Sequence, residues 1–150
     1  MTEVSINRQA RLSEHFTLSE MCKTTVKTAD GNIPSHVHIE NLKRLCGWLE
    51  RLRQAAGIPI IINSGFRSEA VNRAVCGAKN STHLTGCAAD IRVAGIEQLI
   101  RYAAILLDIS DESREDFDEL LLERSPKGAY WLHFAVRPSG NRRKVRLIQT

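Results

Sequence analysis

The sequence of 150 residues lacks the long apolar run that a membrane span requires. No stretch approaches the roughly 20 apolar residues that cross a bilayer. The first sixteen residues also contain no apolar segment of the kind found in secretory signals. We therefore expect no membrane insertion, and we expect a protein that is cytoplasmic as synthesised.

The sequence also lacks a CxxC pair, although it contains Cys22, Cys46, Cys76 and Cys87. A chain of this length with 43% hydrophobic residues can bury a core without disulfide cross-links. Cys46 fits the apolar face of a predicted helix and is interpreted as a core residue. Pairing of Cys76 with Cys87, or a chemical role for them, stays open as the less favoured alternative.

Aromatic residues are few, at 5%, and none lies in the basic segment near the end of the chain. The net charge is +4, and the segment 137–146 contributes much of it. Such a segment can bind nucleic acid or another anionic polymer, but single-strand binding usually combines positive charge with aromatic side chains. We expect a solvated tail here and no nucleic-acid partner.

The helical signals are concentrated in the first two thirds of the chain. Thr17 and Glu20 have the spacing of a capping box. Apolar residues recur every three or four positions over 35–56, which predicts an amphipathic helix that ends at Gly57. A second helix is expected over 97–107, and one or two helical turns over 68–75. The apolar face of the second helix is predicted to consist of Ile100, Ala103, Ala104 and Leu107.

Strands are predicted on both sides of that second helix. The β-branched run 58–63 and the segment 87–93 are typical of strands, with a polar loop over 77–86 between them. Two later strands, 118–123 and 130–136, flank a turn at 125–128. Helices first and hairpin-like strands late favour an α+β fold. We predict one domain over 1–150, with about 1–15 as a flexible N-terminal arm.

Two histidines and an aspartate stand out among the polar residues. His83 precedes the predicted strand that contains Asp90, and His133 lies inside a later strand. Alternation places Asp90 and His133 on strand faces opposite to the apolar residues, so the two can share one face of a sheet. A carboxylate among small neighbours is costly to bury unless it is paired or binds a metal. Two histidines and one carboxylate, with a fourth position open, are typical of catalytic zinc sites.

The pattern Ser81-x-His83-x-x-Gly86-x-Ala88-x-Asp90, followed by Trp131-x-His133, resembles the zinc D-Ala-D-Ala carboxypeptidase family. That family includes murein endopeptidases and phage endolysins. Further stretches agree in order over about 16–147: Phe16 to Glu20, Asn41-Leu42-x-x-Leu45, Ser64 to Ser68, Asn72, Phe117 to Leu120 and Gly140 to Arg142.

The resemblance implies a hedgehog/DD-peptidase-like α+β fold, with a small, mostly antiparallel sheet and helices packed on one face. It also implies one zinc ion and a peptidoglycan peptide as substrate. Without a signal peptide, action on the cell wall after release and action on recycled wall fragments in the cytoplasm stay open as alternatives. His83, Asp90 and His133 match the metal ligands. Arg67 matches a catalytic and substrate-binding arginine, and Ser81 matches a substrate-binding serine.

The general base departs from the family pattern. Many relatives carry an acidic residue or a histidine three to five positions before the last ligand, where this chain has Gly128, Ala129 and Tyr130. Glu123, at the end of the preceding strand, is therefore the predicted base, with Asp118 or a bound water as alternatives.

The departure at this position also leaves a second function open, a catalytically inactive, zinc-containing module that binds wall peptide or protein. The choice between carboxypeptidase and endopeptidase stays open as well, as does the oligomeric state.

Overall fold

The computed structural model describes residues 7–150. The helices are α1 (Leu18–Met21), α2 (His36–Ala56), α3 (Glu69–Ala74) and α4 (Ile96–Ser113), with a 3₁₀ helix at Thr82–Thr85. The strands are β1 (Ile62–Ser64), β2 (Ala88–Arg92), β3 (Glu119–Arg124), β4 (Tyr130–Ala135) and β5 (Lys144–Gln149). The predicted α+β class is confirmed. No helix within 7–150 is long and apolar enough to cross a membrane.

Helix α2 follows its sequence signals closely. The Ser35 hydroxyl accepts a hydrogen bond from the backbone N–H of His38, which caps the first turn. Gly57 ends the helix with a left-handed φ of 73°, a conformation that costs glycine little. The side chains that α2 buries are Asn41, Leu42, Leu45, Cys46, Trp48, Leu49 and Leu52. The predicted helix over 35–56 is therefore confirmed.

Helix α4 is longer than predicted, and its apolar face was assigned correctly only in part: Ala103 is buried and Leu107 packs against the core. Ile100, placed on the buried face by the sequence, is 55% exposed, and Ala104 is exposed too. Apolar residues occur around much of this helix, so two overlapping sets fit helical spacing. The set with the larger side chains is the one that faces the core, namely Leu99, Tyr102, Ala103 and Leu106.

The five strands form one mixed sheet in the order β1-β2-β4-β3-β5. Three pairings are antiparallel, and β3 pairs with β5 in parallel. The run at 58–63 contributes only its end to the sheet, as β1. Strand β5 was not predicted. It includes part of the basic segment 137–146, so the expectation of a solvated tail was wrong for these residues.

The sheet separates the core from a polar face. Ala89, Ile91, Leu120, Leu132 and Phe134 point to the side covered by α2 and α4, where they are fully buried in the core cluster. Neighbouring residues on the same strands alternate to the opposite side. The helices therefore fix which face of β2, β3 and β4 is left for polar side chains.

The segment before α1 contacts the rest of the domain. Leu18 and Ser19 donate backbone hydrogen bonds to the carbonyls of Ala10 and Arg8, and Glu50 accepts a hydrogen bond from the backbone N–H of His15. Residues 1–6 of the arm predicted over 1–15 lie outside the described residues. The flexibility of that arm stays a prediction.

Candidate metal centre

His83, Asp90 and His133 meet on the polar face of the sheet. Each offers one ligand atom, and these atoms lie within 4.8 Å of one another. Asp90 Oδ1 is 3.2 Å from His83 Nε2 and 3.1 Å from His133 Nδ1. The three side chains are largely buried, with exposed fractions of 3% for His83, 9% for His133 and 14% for Asp90. Three oxygen and nitrogen donors this close together could hold a metal ion.

Pairing of adjacent strands brings Asp90 and His133 together. The two residues are direct partners in the antiparallel ladder between β2 and β4. Directly opposed residues point to the same side of a sheet, with Cβ atoms about 5 Å apart. The shared face predicted from the alternation of the two segments is thus the one observed.

His83 reaches the same place from a tight turn before β2. The Ser81 hydroxyl accepts a hydrogen bond from the His83 backbone N–H and caps the 3₁₀ helix. Gly86 ends that helix with φ at 77°, and a Cβ there would lie 2.6 Å from the carbonyl oxygen of His38. Only glycine fits this close approach to α2 without a backbone shift. The loop predicted over 77–86 therefore contains a short helix that presents the first histidine.

In both imidazoles, the ring nitrogen that points away from Asp90, here called the outer nitrogen, contacts a hydrogen-bond acceptor. His83 Nδ1 is 2.7 Å from the carbonyl oxygen of Gly65, and His133 Nε2 is 3.0 Å from Glu119 Oε1. Metal-ligating histidines commonly bond a carbonyl or carboxylate through the nitrogen that does not face the metal. The inner nitrogens, His83 Nε2 and His133 Nδ1, face Asp90. The donor set and its outer contacts therefore fit a zinc ion.

The charges in this cluster shift the pKa values of its members. Burial opposes a charge on Asp90, but His83 and His133 outweigh it and hold the carboxyl pKa well below its usual range. Burial likewise opposes protonation of His133, yet hydrogen bonds to Asp90 and Glu119 raise its pKa to about 9. The hydrogen bond with His133 is the main reason that the pKa of Glu119 falls to about 2. Acidic and basic groups thus stabilise one another here.

Arg67 contacts the cluster directly. Its guanidinium donates to Asp90 Oδ2 at 3.2 Å, to Ser64 Oγ at 3.0 Å and to Asn72 Oδ1 at 3.4 Å. Arg67 and Ser81 both line a cavity of about 440 Å³ that also exposes the three clustered residues. The structure therefore brings both sequence-predicted substrate contacts to the same cavity.

Glu123 lines that cavity as well. It stands opposite Trp131 in the β3–β4 hairpin, and the indole Nε1 donates to its Oε2 at 2.9 Å. Burial, and then the negative charge of Asp90, raises the pKa of Glu123. Asp118, the alternative base, lies elsewhere: it does not line the cavity and is completely buried against Arg142.

All four cysteine thiols are free. Cys87 is buried, and burial is the main reason that its pKa is raised. Cys76 is exposed and lines the cavity. The alternative of a Cys76–Cys87 disulfide therefore does not describe this structure.

Sequence reasoning missed two residues that contact the cluster, Glu119 and Thr82. Glu119 accepts a hydrogen bond from Thr82 Oγ1 at 2.8 Å in addition to its contact with His133. A signal for Glu119 was present, because Glu119, Leu121 and Glu123 alternate along β3 and must share a face. Thr82 gave no such signal, since its position depends on the fold of the loop.

Comparisons with known proteins agree with the motif. Over 78 residues the chain is 35% identical to the zinc D-Ala-D-Ala carboxypeptidase of Streptomyces albus G. The match covers 51% of this chain but only 31% of that relative. The model of a peptidase family, described as Peptidase M15, matches residues 14–115. Since this match spans well over half of the chain, the resemblance inferred from the sequence is confirmed, and the chain belongs to the Peptidase M15 family.

Proposed function

We propose that this protein is a zinc-dependent peptidase that hydrolyses peptide bonds in bacterial peptidoglycan, on a hedgehog/DD-peptidase-like fold. The observation that carries the proposal is the convergence of His83, Asp90 and His133 at a cavity that also contains Arg67 and Glu123. Membership of the Peptidase M15 family and the similarity to a zinc carboxypeptidase support the choice of metal and substrate.

In this proposal His83 Nε2, Asp90 Oδ1 and His133 Nδ1 hold one zinc ion. A zinc ion bound by three protein ligands lowers the pKa of a coordinated water and polarises a carbonyl group. The outer contacts of the two histidines support this assignment, because they occupy the nitrogens that point away from Asp90.

Glu123 is the proposed general base. Trp131 occupies one carboxylate oxygen, Oε2, and leaves Oε1 free to accept the proton of the attacking water. Glu123 would then pass that proton to the leaving amine. A pKa raised by burial suits this role, because a carboxylate with a raised pKa is a stronger base and accepts a proton more readily.

Arg67 is proposed to hold the scissile carbonyl oxygen or a substrate carboxylate. A guanidinium has five N–H donors, and the contacts to Ser64, Asn72 and Asp90 orient it with three of them. The remaining donors are available for the substrate, and charge-assisted hydrogen bonds of this kind stabilise an oxyanion. Ser81, which lines the same cavity, is proposed as a further substrate contact.

The test is digestion of purified bacterial peptidoglycan, with the fragments identified by mass spectrometry. We expect cleavage that stops in a chelator and returns when zinc is added back. Glu123→Gln should bind zinc and lose activity by about 100-fold or more. Glu112→Gln, the same change at an exposed site on α4, should behave as wild type. Cleavage that persists in chelator would contradict the zinc proposal.

The fragment masses would also separate a carboxypeptidase, which releases a terminal residue, from an endopeptidase, which cuts internally. A wild-type protein that binds zinc one to one and wall fragments without cleaving them would instead favour the binding module. That outcome would make Glu123 a structural residue rather than a base.

A further inference from the structure

We propose that Glu119 is a positioning residue that fixes the ring of His133, so that Nδ1 is the nitrogen available to the metal. The inference rests on the proposed function, since it concerns the same zinc site. It adds a residue that neither the motif nor the comparisons assign. Glu119 would act through His133 and would not touch the substrate or the metal itself.

The Glu119 carboxylate is enclosed by donors. Oε1 is 3.0 Å from His133 Nε2 and accepts a hydrogen bond from Thr82 Oγ1 at 2.8 Å, while Oε2 is 3.6 Å from Arg142 Nη2. The side chain is only 12% exposed. With two hydrogen-bond partners on Oε1 and the guanidinium charge of Arg142 near Oε2, the Glu119 carboxylate is held in place as an acceptor.

The tautomer of His133 follows from these contacts. A neutral imidazole carries one N–H, and the nitrogen that binds a metal must be the one without it. Nε2 faces the Glu119 carboxylate, which can only accept, so the proton is stabilised on Nε2. Nδ1 then presents its lone pair toward the position between Asp90 and His83.

The geometry argues against Glu119 as a ligand or as the base. It contacts the outer nitrogen of His133, whereas Asp90 contacts the inner one, so Glu119 lies on the far side of the ring from the cluster. Its Oε1 is also shared by two donors. Glu123, which has one oxygen without such a partner, is better placed to accept a proton from water.

His133 is also the histidine whose outer contact can be altered by mutation. The equivalent acceptor for His83 is the backbone carbonyl of Gly65, which a side-chain replacement does not remove. A charged acceptor additionally makes the imidazole a stronger donor to a metal than a neutral carbonyl does. Removing Glu119 should therefore weaken zinc binding without deleting any ligand.

The experiment measures zinc affinity by competition with a chromophoric chelator. Glu119→Ala should bind zinc about 10- to 100-fold more weakly than wild type, as found when such outer contacts are lost. Glu119→Gln keeps an amide oxygen that can accept from Nε2–H, so its zinc affinity should lie between those of wild type and Glu119→Ala. Glu112→Gln is the matched control and should bind as wild type does. Circular dichroism and denaturation in chelator establish that each variant is folded.

Two further measurements separate ring positioning from a purely structural role. Thr82→Val removes the other hydrogen bond to Glu119 Oε1, together with the 3.3 Å contact between Thr82 Oγ1 and His133 Nε2. Because the Glu119 carboxylate still accepts from His133, this variant should weaken zinc binding less than Glu119→Ala does. In the zinc-loaded wild type, ¹⁵N-resolved NMR should show the proton of His133 on Nε2 and metal binding through Nδ1. The Nε2 proton should exchange faster with solvent in Glu119→Ala.

Zinc affinity within about twofold of wild type in both Glu119 variants, or a metal bound through Nε2, would overturn the inference and leave the proposed function intact. The inference would also fail if Thr82→Val weakened binding as much as Glu119→Ala. A wild-type protein that binds no zinc would contradict the proposed function itself, and the inference with it.

Discussion

Replacing Arg142 with alanine should destabilise the fold markedly, because it removes the guanidinium that neutralises a buried carboxylate. Asp118 is completely buried and lies directly before β3. Arg142 Nε donates to Asp118 Oδ1 at 3.0 Å, and Nη2 donates to Oδ2 at 2.9 Å. This two-pronged contact ties the segment before β5 to the residue that precedes β3.

The two partners are not equivalent, so the two single mutants should differ. Loss of one member of a buried pair costs about 3–5 kcal/mol when the remaining charge has no partner. In Arg142→Ala the backbone N–H of residue 142 still contacts Asp118, and Arg137 Nη1 is 3.9 Å away. We therefore expect Arg142→Ala to lower the free energy of unfolding by about 3 kcal/mol, at the lower end of this range. In Asp118→Asn the remaining arginine is half exposed and can be hydrated, so about 1–2 kcal/mol is expected.

The assay is a double-mutant cycle measured by chemical denaturation in chelator. Arg142→Ala should cost clearly less in the Asp118→Asn background than in wild type, because no buried charge is then left behind. Arg146→Ala, an exposed arginine in β5, is the control and should change the free energy of unfolding by about 0.5 kcal/mol or less. An equal cost of Arg142→Ala in both backgrounds would refute the reasoning.

Three further predictions concern the candidate site. Gly86→Ala should lower the thermal denaturation midpoint and weaken zinc binding, because a Cβ at φ 77° would meet the His38 carbonyl oxygen at 2.6 Å; an unchanged midpoint would contradict this. The pKa of Glu119 is lowered from 4.5 to about 2, so its contribution to stability in chelator is complete above pH 4.5 and is lost as the pH falls toward 2. Glu119→Gln should flatten this part of a stability–pH curve, and an equally steep curve would count against the assignment. Because burial raises the pKa of Glu123, the acid limb of kcat/KM should lie above the ordinary glutamate value of 4.5 and should disappear from the residual activity of Glu123→Gln.

The elements with strong local signals could be predicted from the sequence. Helix α2 has a capping serine, a long apolar repeat and a terminal glycine, and its bounds were predicted almost to the residue. The strands that contain Asp90 and His133 alternate clearly enough to place both residues on the polar face. The metal cluster could be named because the motif around His83, Asp90 and His133 resembles that of the zinc D-Ala-D-Ala carboxypeptidase family. The pairing of β2 with β4, which brings Asp90 opposite His133, is seen only in the structure.

Elements without such signals were missed for physical reasons. Strand β5 pairs in parallel at the edge of the sheet, and its alternating residues include Leu147, which is 82% exposed. A strand that buries so little has no distinct hydrophobic pattern and is easily interpreted as a tail. Two residues of the predicted apolar face of α4 were wrong, because Ile100 and Ala104 fit helical spacing as well as the residues that are buried.

The outer contacts of the site depend on the register between β3 and β4. Leu121 stands opposite His133, which leaves Glu119 and Glu123 on the same face two residues to either side. A slip of one residue would turn Leu120 and Leu122 toward the cavity and both glutamates into the core. The turn at 125–128 fixes this register through hydrogen bonds from Ser125 N to Ala129 O and from Gly128 N to Ser125 O. The proposed base and the proposed positioning residue thus depend on the same turn, so a change in its length should disable both together.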